Sequence, residues 1–575
     1  MESEQDFSDD KCVILCKGCI KLKPEKIANR IEEAETIILE DCSKDFNLRK
    51  DLKYVVFCCP ALYHLTEHSA FSKIVDLRLI EKCFKKPEEV AIAWIKSSLI
   101  FEPPDVKAVE TGYEVIYIGN NSDVISELSE NTKLCVITSG EVAEGLYPFR
   151  TRVIVPEDDN FSISGEVGNF VVNVKGTDLT TNRKGNFSLK GGQIIFPGSE
   201  IKKEGIHTFD DEFRCALNAI KNLGSYLRIE PIEIDFDVCC TSKSGFEGCS
   251  LCLSCPSGAL LRENGKIRIK GSCTGCGYCS AVCPVSAVKY SIMPSDLLMR
   301  KIDAVSSEGK TIAFICEDSL KKLYRMSKGM KKKIPEVLPV VVPCINSISE
   351  LHYLYAALNG MNVLVFPCDS EHKLTNFEIT RKILATFGFD CIRIVEFDNI
   401  DIKKLRNPGK ILKNVEGKNK REKLFRMINL LMKYPVKKSK IETELFGIVE
   451  VNEGCTLCMT CTFFCPTGAL RKENETLYFN HGLCIACGLC LACPENVITL
   501  NKVLDFEKIG EREIYKDEVL KCPSCGRPHI TKSMYEKLSK VSKYSILFCS
   551  DCRPKVILEA IYEEMMKEEG EERNE

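Results

Sequence analysis

The residues with the clearest chemical potential are cysteines, which occur 34 times in 575 residues. Three cysteines on one tight loop can each bind an iron of a cubic four-iron cluster, while a fourth that starts a helical turn reaches a neighbouring cluster. Proline suits the first position of such a turn. Two runs have this C-x2-C-x2-C-x3-C-P spacing: Cys273, Cys276, Cys279, Cys283 and Cys455, Cys458, Cys461, Cys465.

Each regular run has an irregular partner whose last spacing is one residue shorter. In the earlier pair, Phe246 stands where the first cysteine is expected, so Cys239 or Cys240 must supply that ligand across a short insertion. The peptides PSGAL, PVSAV, PTGAL and PENVI begin at the four prolines, which indicates an internal repeat. The repeat resembles bacterial two-cluster ferredoxins and implies one module at 236–295 and a second at 446–502. The irregular runs are Cys249, Cys252, Cys255 and Cys484, Cys487, Cys490, Cys493.

In such modules the fourth cysteine of each run binds the cluster of the other run. The crossing predicts four [4Fe-4S] clusters. Structural zinc is the alternative, but zinc sites use two separated CxxC pairs, which does not account for four successive cysteines ending in Cys-Pro. The predicted ligand sets are Cys273, Cys276, Cys279, Cys255; Cys249, Cys252, Cys283 with Cys240 or Cys239; Cys455, Cys458, Cys461, Cys493; and Cys484, Cys487, Cys490, Cys465.

Composition sets the compartment that we expect. Net charge is −3, which gives no global field for nucleic acid or a membrane surface. The first ten residues carry neither the basic nor the apolar region of a secretory signal, and apolar runs such as 337–345 are too short to span a bilayer. We therefore expect a cytoplasmic, reduced protein whose cysteines bind metal. Peripheral association with a membrane partner stays open.

Residues 1–104 carry cysteines without ferredoxin spacing, at the ends of predicted strands 13–15, 36–39 and 54–57. A predicted amphipathic helix follows at 87–99. The strand-end cysteine, the Cys-Ser, the Cys-Pro with His64 and the LIEKC stretch resemble the N-terminal domain of the flavin-carrying subunit of heterodisulfide reductase. That resemblance implies a fifth four-iron cluster, with Cys12, Cys19 and Cys58 as substitutes, on the ligands Cys16, Cys42, Cys59 and Cys83.

A flavin domain follows in that family, and residues 105–235 depart from it. The segment 106–118 looks like a Rossmann strand, and the segment ISGEVGNFVVNVKG near Gly165 resembles a later strand of the same domain. No G-x-G-x-x-G loop occurs between residues 84 and 240, so the backbone cradle for a pyrophosphate is missing. We predict a degenerate remnant that has lost FAD.

Residues 305–400 alternate strands and helices in a small doubly wound pattern. They resemble the delta subunit of methyl-viologen-reducing hydrogenase, in which strand-end cysteines hold a [2Fe-2S] cluster. The matching residues are Cys316, Cys344 and Cys368, and Cys391 is out of place. Because the family's other cysteines are missing, we predict that this cluster is lost and the domain serves docking.

Residues 403–440 contain fourteen Lys or Arg and two acidic residues. We interpret 401–445 as a basic linker with a solvated helix; docking to an acidic partner is the alternative. The C-terminal element, 515–575, holds two CxxC pairs in KCPSCGRP and FCSDCRP, which are typical of a zinc-ribbon-like site. A cluster is the alternative there. The four ligands are Cys522, Cys525, Cys549 and Cys552.

The sequence thus predicts a multidomain α/β and α+β protein. It comprises an N-terminal α/β cluster domain, a degenerate Rossmann-like segment, two bacterial 2[4Fe-4S] ferredoxin modules, a small doubly wound α/β domain and a zinc-ribbon-like element. We expect a non-catalytic protein of an oxidoreductase complex that relays single electrons. The resemblances imply hydrogenase-, heterodisulfide-reductase- or dehydrogenase-like partners in an anaerobic, archaeal cell, with soluble ferredoxin as a further partner and no nucleic acid. Two alternatives are an FAD-dependent oxidoreductase and a nucleic-acid-linked iron–sulfur protein.

Overall fold

A computed structural model describes residues 11–18, 20–41, 54–59, 71–104, 106–138, 151–199, 201, 203–209, 211–245, 247–270, 273–330, 332–367, 374–400, 402, 404–412, 415–541 and 546–572. The chain divides into two compact units, one formed by Met1–Pro103 with Ile232–Glu575 and the other by Pro104–Pro231. The fold is mixed α/β with several separate sheets. Among these residues, no helix combines the length and the apolar character needed to cross a bilayer.

The unit Pro104–Pro231 is built on one seven-stranded sheet. Its helices are Ser122–Asn131 and Glu212–Lys221, and a separate ribbon pairs Val106–Gly112 with Gly224–Ile229. The strands, in sheet order, are Arg183–Gly191, Asn169–Asp178, Arg152–Glu166, Lys133–Ile137, Glu114–Ile118, Gln193–Ile195 and Ile206–His207.

Two strand predictions in this unit are wrong in detail. The segment 106–118 forms two strands in different sheets, because the chain turns at Gly112, where φ is +62°. The segment near Gly165 is a hairpin rather than one strand. Gly165 and Gly168 carry φ values of +87° and +88° at its turn, a region that favours glycine.

The N-terminal sheet has four parallel strands, of which three lie at the predicted strands 13–15, 36–39 and 54–57 and the fourth was not predicted. Because carboxyl ends of parallel strands share one edge, Cys16 and Cys58–Cys59 follow neighbouring strands at that edge. The strands, in sheet order, are Glu35–Leu39, Lys11–Cys16, Tyr54–Phe57 and Phe71–Ile74, and the helices are Pro24–Ala28, Leu77–Cys83 and Pro87–Leu99.

The central sheet is also parallel and four-stranded. Its strands, in sheet order, are Leu338–Val342, Thr311–Cys316, Asn362–Phe366 and Ile392–Ile394. Its helices are Ser295–Ser306, Glu317–Ser327, Glu350–Leu358 and Thr375–Thr386, with a 3-10 turn at Ile345–Ser347.

The helix Pro87–Leu99 has the predicted bounds but is not amphipathic. Six consecutive residues from Val90 to Ile95 are buried, because the helix packs in one core with the N-terminal and central sheets. A helix that is apolar on all sides belongs in a core. The two sheets therefore share one core.

The two segments predicted as ferredoxin modules repeat one topology, in which the first and last strands pair around an inner hairpin. In the first module these elements are Ile232–Ile234, Leu260–Glu263, Lys266–Ile269 and Val288–Tyr290, with helices Cys240–Ser244 and Tyr278–Val282 and a 3-10 turn at Leu251–Leu253. In the second they are Ile448–Val451, Leu470–Glu473, Thr476–Asn480 and Ile498–Asn501, with the helix Thr460–Phe464 and 3-10 turns at His481–Leu483 and Leu489–Ala492.

The predicted solvated linker is instead part of the core. Its helix, Lys420–Leu431, which we call the connecting helix, buries Lys420, Arg421 and Leu424 among others. Leu424, Met427, Ile428 and Leu431 pack in the core that the two parallel sheets share. The prediction of a solvated helix from the charge pattern is wrong because two of the helix's cations point into the core.

The C-terminal part extends the second module. The strand Glu511–Lys516 adds to its inner hairpin. The remaining strands are Lys440–Glu442, Val503–Asp505, Val519–Lys521 and Pro528–Thr531; the helices are Lys532–Leu538 and Arg553–Glu572, and a 3-10 turn spans Phe506–Lys508.

Candidate iron–sulfur and metal sites

Four sets of cysteines gather in the ferredoxin modules, and we label them A to D. Sets A, C and D each combine three cysteines of one run with the last cysteine of the other, the crossing that the spacing predicts, and set B combines two cysteines of its run with the upstream pair and Cys283. Set A is Cys273, Cys276, Cys279, Cys255; set B is Cys249, Cys252, Cys283 with Cys239 and Cys240; set C is Cys484, Cys487, Cys490, Cys465; and set D is Cys455, Cys458, Cys461, Cys493.

Sets C and D each surround a pocket. The space lined by the four cysteines of set C has an empty volume of about 330 Å³, including its part open to solvent. The space lined by set D measures about 350 Å³ on the same basis. Ile485 and Phe479 wall the first, and Leu477 and Ile498 wall the second. Apolar walls with four converging thiols fit a four-iron cluster, whose ligands are cysteine thiolates.

Within set A and within set B, the thiols also lie close enough to affect one another's pKa. Burial raises the pKa of Cys276, and the Cys255 and Cys273 thiolates raise it further. Burial raises the pKa of Cys252 to about 12, again with help from thiolates, here Cys249 and Cys283 among them. Neighbouring thiolates oppose each other's ionisation, and a cationic cluster core between them stabilises the ionised form of each thiol.

Cys239 and Cys240 both join set B, but they do so differently. Cys240 is buried, and its thiol forms a hydrogen bond with the sulfur of Cys249. That bond lowers the pKa of Cys249 to about 7. Cys239 precedes the short helix Cys240–Ser244 and influences the ionisation of Cys252. Both cysteines lie near set B and are therefore candidates for its fourth ligand, and the hydrogen bond to Cys249 distinguishes Cys240.

Sets B and C meet across the boundary between the modules. The thiolates of Cys487 in set C and Cys249 in set B interact electrostatically, and Cys487 also raises the pKa of Cys240. Ile485 and Leu489 of the second module pack in the core of the first. A Cβ on Gly248 would lie 3.0 Å from Leu489 Cδ2, so the two modules are in close contact there.

The connecting helix begins at this boundary. Its Arg421 amide donates a hydrogen bond of 3.0 Å to the carbonyl of Pro284, the residue after the set B ligand Cys283. Its Phe425 ring lies against Gly482, within the turn that precedes Cys484 of set C. The helix thus contacts both modules beside their cysteine sets.

The N-terminal cysteines divide between the two faces of their sheet. Cys12, Cys16 and Cys59 pack together on one face, whereas Cys58 and Cys83 belong to the core on the other. Burial, with Cys59 and Cys12, raises the pKa of Cys58. Of the other predicted residues, Cys42, Cys19 and His64 lie outside the described residues. The four-cysteine cluster of this domain stays a prediction.

In the central domain, Cys316 has a local structural role. It caps the helix Glu317–Ser327, accepting a hydrogen bond from the Ser319 amide at 3.4 Å. Cys344 follows the neighbouring strand, and Cys368 lies outside the described residues. Cys391 precedes its strand, Ile392–Ile394, and so stands at the opposite edge of the parallel sheet from Cys316 and Cys344.

The edge that carries Cys344 contacts the first module. A Cβ on Gly277 would lie 2.7 Å from Ser347 Cβ, three residues beyond Cys344. Tyr290 donates a hydrogen bond of 2.8 Å to the carbonyl of Gly275. Burial raises the pKa of Tyr290, and Cys344 and Cys276 of set A reinforce that shift, so this phenol stays neutral between them.

The four cysteines of the C-terminal element form a much tighter group. The sulfurs of Cys522, Cys525, Cys549 and Cys552 all lie within 4.8 Å of one another. Those of Cys525 and Cys549 are 3.6 Å apart. Sulfurs about 2.3 Å from one central ion lie about 3.8 Å apart on a tetrahedron. The group therefore fits a single zinc ion and leaves no room for a four-iron cube.

Tight turns prepare these thiols for metal binding. The Gly526 amide donates to the Cys522 carbonyl at 2.8 Å, with φ of +72° at Gly526. Burial acts to raise the pKa of Cys522, but backbone N–H groups, first that of Cys549, outweigh burial and lower it to about 6. Arg527 and Asp551 join the two CxxC turns through an ion pair of 2.6 Å.

Known proteins match this chain over limited stretches. Residues 267–289 match the model of the 4Fe-4S binding domain, a segment that contains the regular run of the first module. An uncharacterized protein of Methanocaldococcus jannaschii is 28% identical over 182 residues. That alignment covers 29% of this chain and 44% of the relative, so the chain spans less than half of that protein. These matches and the gathered cysteines support an iron–sulfur protein.

Proposed function

We propose that the chain is an electron-transfer subunit in which both ferredoxin modules form one path of four [4Fe-4S] clusters, in the order A, B, C, D. The observation that carries the proposal is the contact of the modules at sets B and C: Ile485 and Leu489 of the second module are buried in one cluster with Cys240, and Cys249 and Cys487 pack against that cluster. Electron tunnelling falls steeply with distance, so clusters in contacting modules exchange electrons fastest. The protein supplies position and environment, and the clusters supply the redox chemistry.

The two ends of the proposed path differ in their surroundings. At set D, Cys458 is exposed, which gives electrons an exit or entrance at the surface. At set A, the chain packs against the strand-end edge of the central domain beside Cys344. The path therefore joins a surface site to the domain that resembles a hydrogenase delta subunit.

The finer assignment rests on the resemblances. We propose that the chain relays single electrons in a cytoplasmic complex of an anaerobic organism, between subunits of hydrogenase, heterodisulfide reductase or dehydrogenase type. Soluble ferredoxin is a candidate donor. We propose zinc in the C-terminal element, supported by its sulfur spacing. The loss of FAD from residues 105–235 and of the two-iron cluster remains our expectation from the missing motifs.

We propose Cys239 as the fourth ligand of set B. Ligands of a cube bind different irons, so a whole cube edge separates their sulfurs and two ligand sulfurs cannot form a hydrogen bond with each other. Cys240 forms such a bond with Cys249. In this arrangement Cys240 donates its thiol proton to the ligand sulfur of Cys249.

Electron paramagnetic resonance of the fully reduced, reconstituted protein tests the path. Reduced four-iron clusters are paramagnetic and broaden each other's signals when close. Cys490→Ala, which removes cluster C, should sharpen the signal of cluster B in the other module. Cys461→Ala, which removes cluster D, is the matched control and should leave cluster B unchanged. An unaltered cluster B signal in Cys490→Ala would contradict a single path.

A further inference from the structure

The junction between sets B and C contains two buried cations, Lys420 and Arg421, at the start of the connecting helix. Arg421 is 1% exposed and Lys420 is 7% exposed. Buried charges are costly unless paired, so their position needs a reason. A solvated linker helix would not explain why these two cations are buried.

Arg421 has few protein partners for its charge. Its Cζ lies 3.9 Å from the centre of the Phe446 ring, and its Nη2 donates to the carbonyl of Leu445. Its Nε and Nη1 have no hydrogen-bond partner among the described residues. Burial lowers the pKa of Arg421 to about 10, while Glu350, Cys484 and Cys249 act in the opposite direction. The guanidinium therefore stays charged at neutral pH and lies within the field of sets B and C together.

Lys420 is directed to the set B side. Its ammonium forms an ion pair of 3.0 Å with the buried Glu350 and donates to the carbonyl of Ala281. Its charge favours ionisation of Cys249 and Cys283, both members of set B. Its backbone amide donates to Ser286 Oγ at 3.1 Å, which fixes the helix start on the first module.

We infer that Lys420 and Arg421 hold the reduction potentials of clusters B and C above those of clusters A and D. The inference rests on the proposed function. Reduction adds one electron to the cluster core and breaks no bond, so a nearby buried cation stabilises the reduced form. The low local dielectric makes that effect larger than at the surface. Arg421 acts on both inner clusters, and Lys420 acts on cluster B.

The expected consequence is a path whose middle retains electrons more readily than its ends. Such a profile lets the chain hold reducing equivalents between an electron's arrival and its departure. Lys420 and Arg421 are positioning residues in this scheme, because they bind neither the irons nor a substrate.

Potentiometric titration followed by electron paramagnetic resonance tests the inference, with signals assigned from Cys490→Ala and Cys461→Ala. In Arg421→Gln, the oxidised-to-reduced ratio of clusters B and C at a fixed potential should rise about tenfold, a downward shift of about 59 mV for one electron. Clusters A and D should not move. Arg421→Lys keeps the charge and should restore most of the potential.

Two further variants separate electrostatics from structural support. Lys420→Gln should lower the potential of cluster B more than that of cluster C. Glu350→Gln removes the negative partner and should raise it. A purely structural role predicts no such opposite signs. Arg471→Gln is the surface control, since this cation of the second module is 43% exposed and pairs with Glu511 and Glu473.

The outcomes separate this inference from the proposed function. Full iron content with unchanged inner potentials in Lys420→Gln and Glu350→Gln overturns the inference alone. Equal shifts of inner and outer clusters overturn it as well. If Arg421→Gln fails to hold iron, Lys420→Gln and Glu350→Gln still decide, because both act on cluster B. Absence of iron from the unmodified protein would instead refute the proposed function.

Discussion

Set D of the second module and the C-terminal site each present four cysteines, yet their sulfurs are arranged differently. Around set D, the sulfurs line a space of about 350 Å³ with apolar walls. In the C-terminal site the sulfurs lie within 4.8 Å of one another, and an ion pair joins the two turns that carry them. The arrangement around set D fits a four-iron cluster, and the arrangement in the C-terminal site fits a single ion.

The two sites are also neighbours. Thr531 Oγ1 of the C-terminal element donates to the carbonyl of Thr456 at 3.3 Å, beside Cys455 of set D. Lys537 forms an ion pair of 2.5 Å with Glu495, which lies two residues after Cys493 of set D. The two sites therefore differ in the backbone geometry around the thiols and not in the number of thiols. The C-terminal element thus contacts the second module beside set D.

The largest expected effect is the loss of one cluster. Cys461→Ala removes a ligand of set D, and the anaerobically reconstituted protein should lose about four irons and four sulfides per chain. Zinc content should stay unchanged. Iron, sulfide and zinc analysis measures all three. Loss of zinc together with iron would break the distinction between the two sites.

The second effect sharpens the same distinction within set B. Cys239→Ser should abolish cluster B or convert it to a labile form, with a loss of up to about four irons. Cys240→Ser should retain the iron and shift only the cluster's potential, because it removes a thiol hydrogen bond to Cys249. The reverse result would show that Cys240, and not Cys239, is the ligand.

The smallest metal effect is the loss of one ion. Cys525→Ser should remove zinc and leave the iron content of all four sets intact. The C-terminal element should then become sensitive to limited proteolysis, since zinc binding contributes folding free energy. The matched control is Ser550→Ala, which changes a nearby exposed hydroxyl and no thiol. Iron loss in Cys525→Ser would mean that this site holds a cluster.

Much of the fold follows directly from sequence pattern. The strands Lys11–Cys16 and Tyr54–Phe57 lie close to where their apolar periodicity places them. Local pattern succeeded there because each element is apolar on the face that it buries. It failed at 106–118, where one glycine with positive φ sends two strands into different sheets.

The connecting helix shows the limit most clearly. From the sequence, its cations predicted a solvent-exposed helix, because a sequence gives the charge of a side chain but not the direction in which that side chain points. Only the tertiary structure turns Arg421 inward onto Phe446 and between sets B and C. Likewise, no spacing rule says that Cys249 and Cys487, 238 positions apart, will interact.

From the sequence alone, ligand spacing predicts which thiols belong together within each module, except for the choice between Cys239 and Cys240, because spacing on a short loop is a local property of the chain. The tertiary structure alone decided that the modules meet through sets B and C, that two buried cations stand at that meeting, and that the last four thiols close around the volume of one ion. Those features depend on contacts between distant segments, and their cause is the burial of apolar surface, which no local pattern encodes.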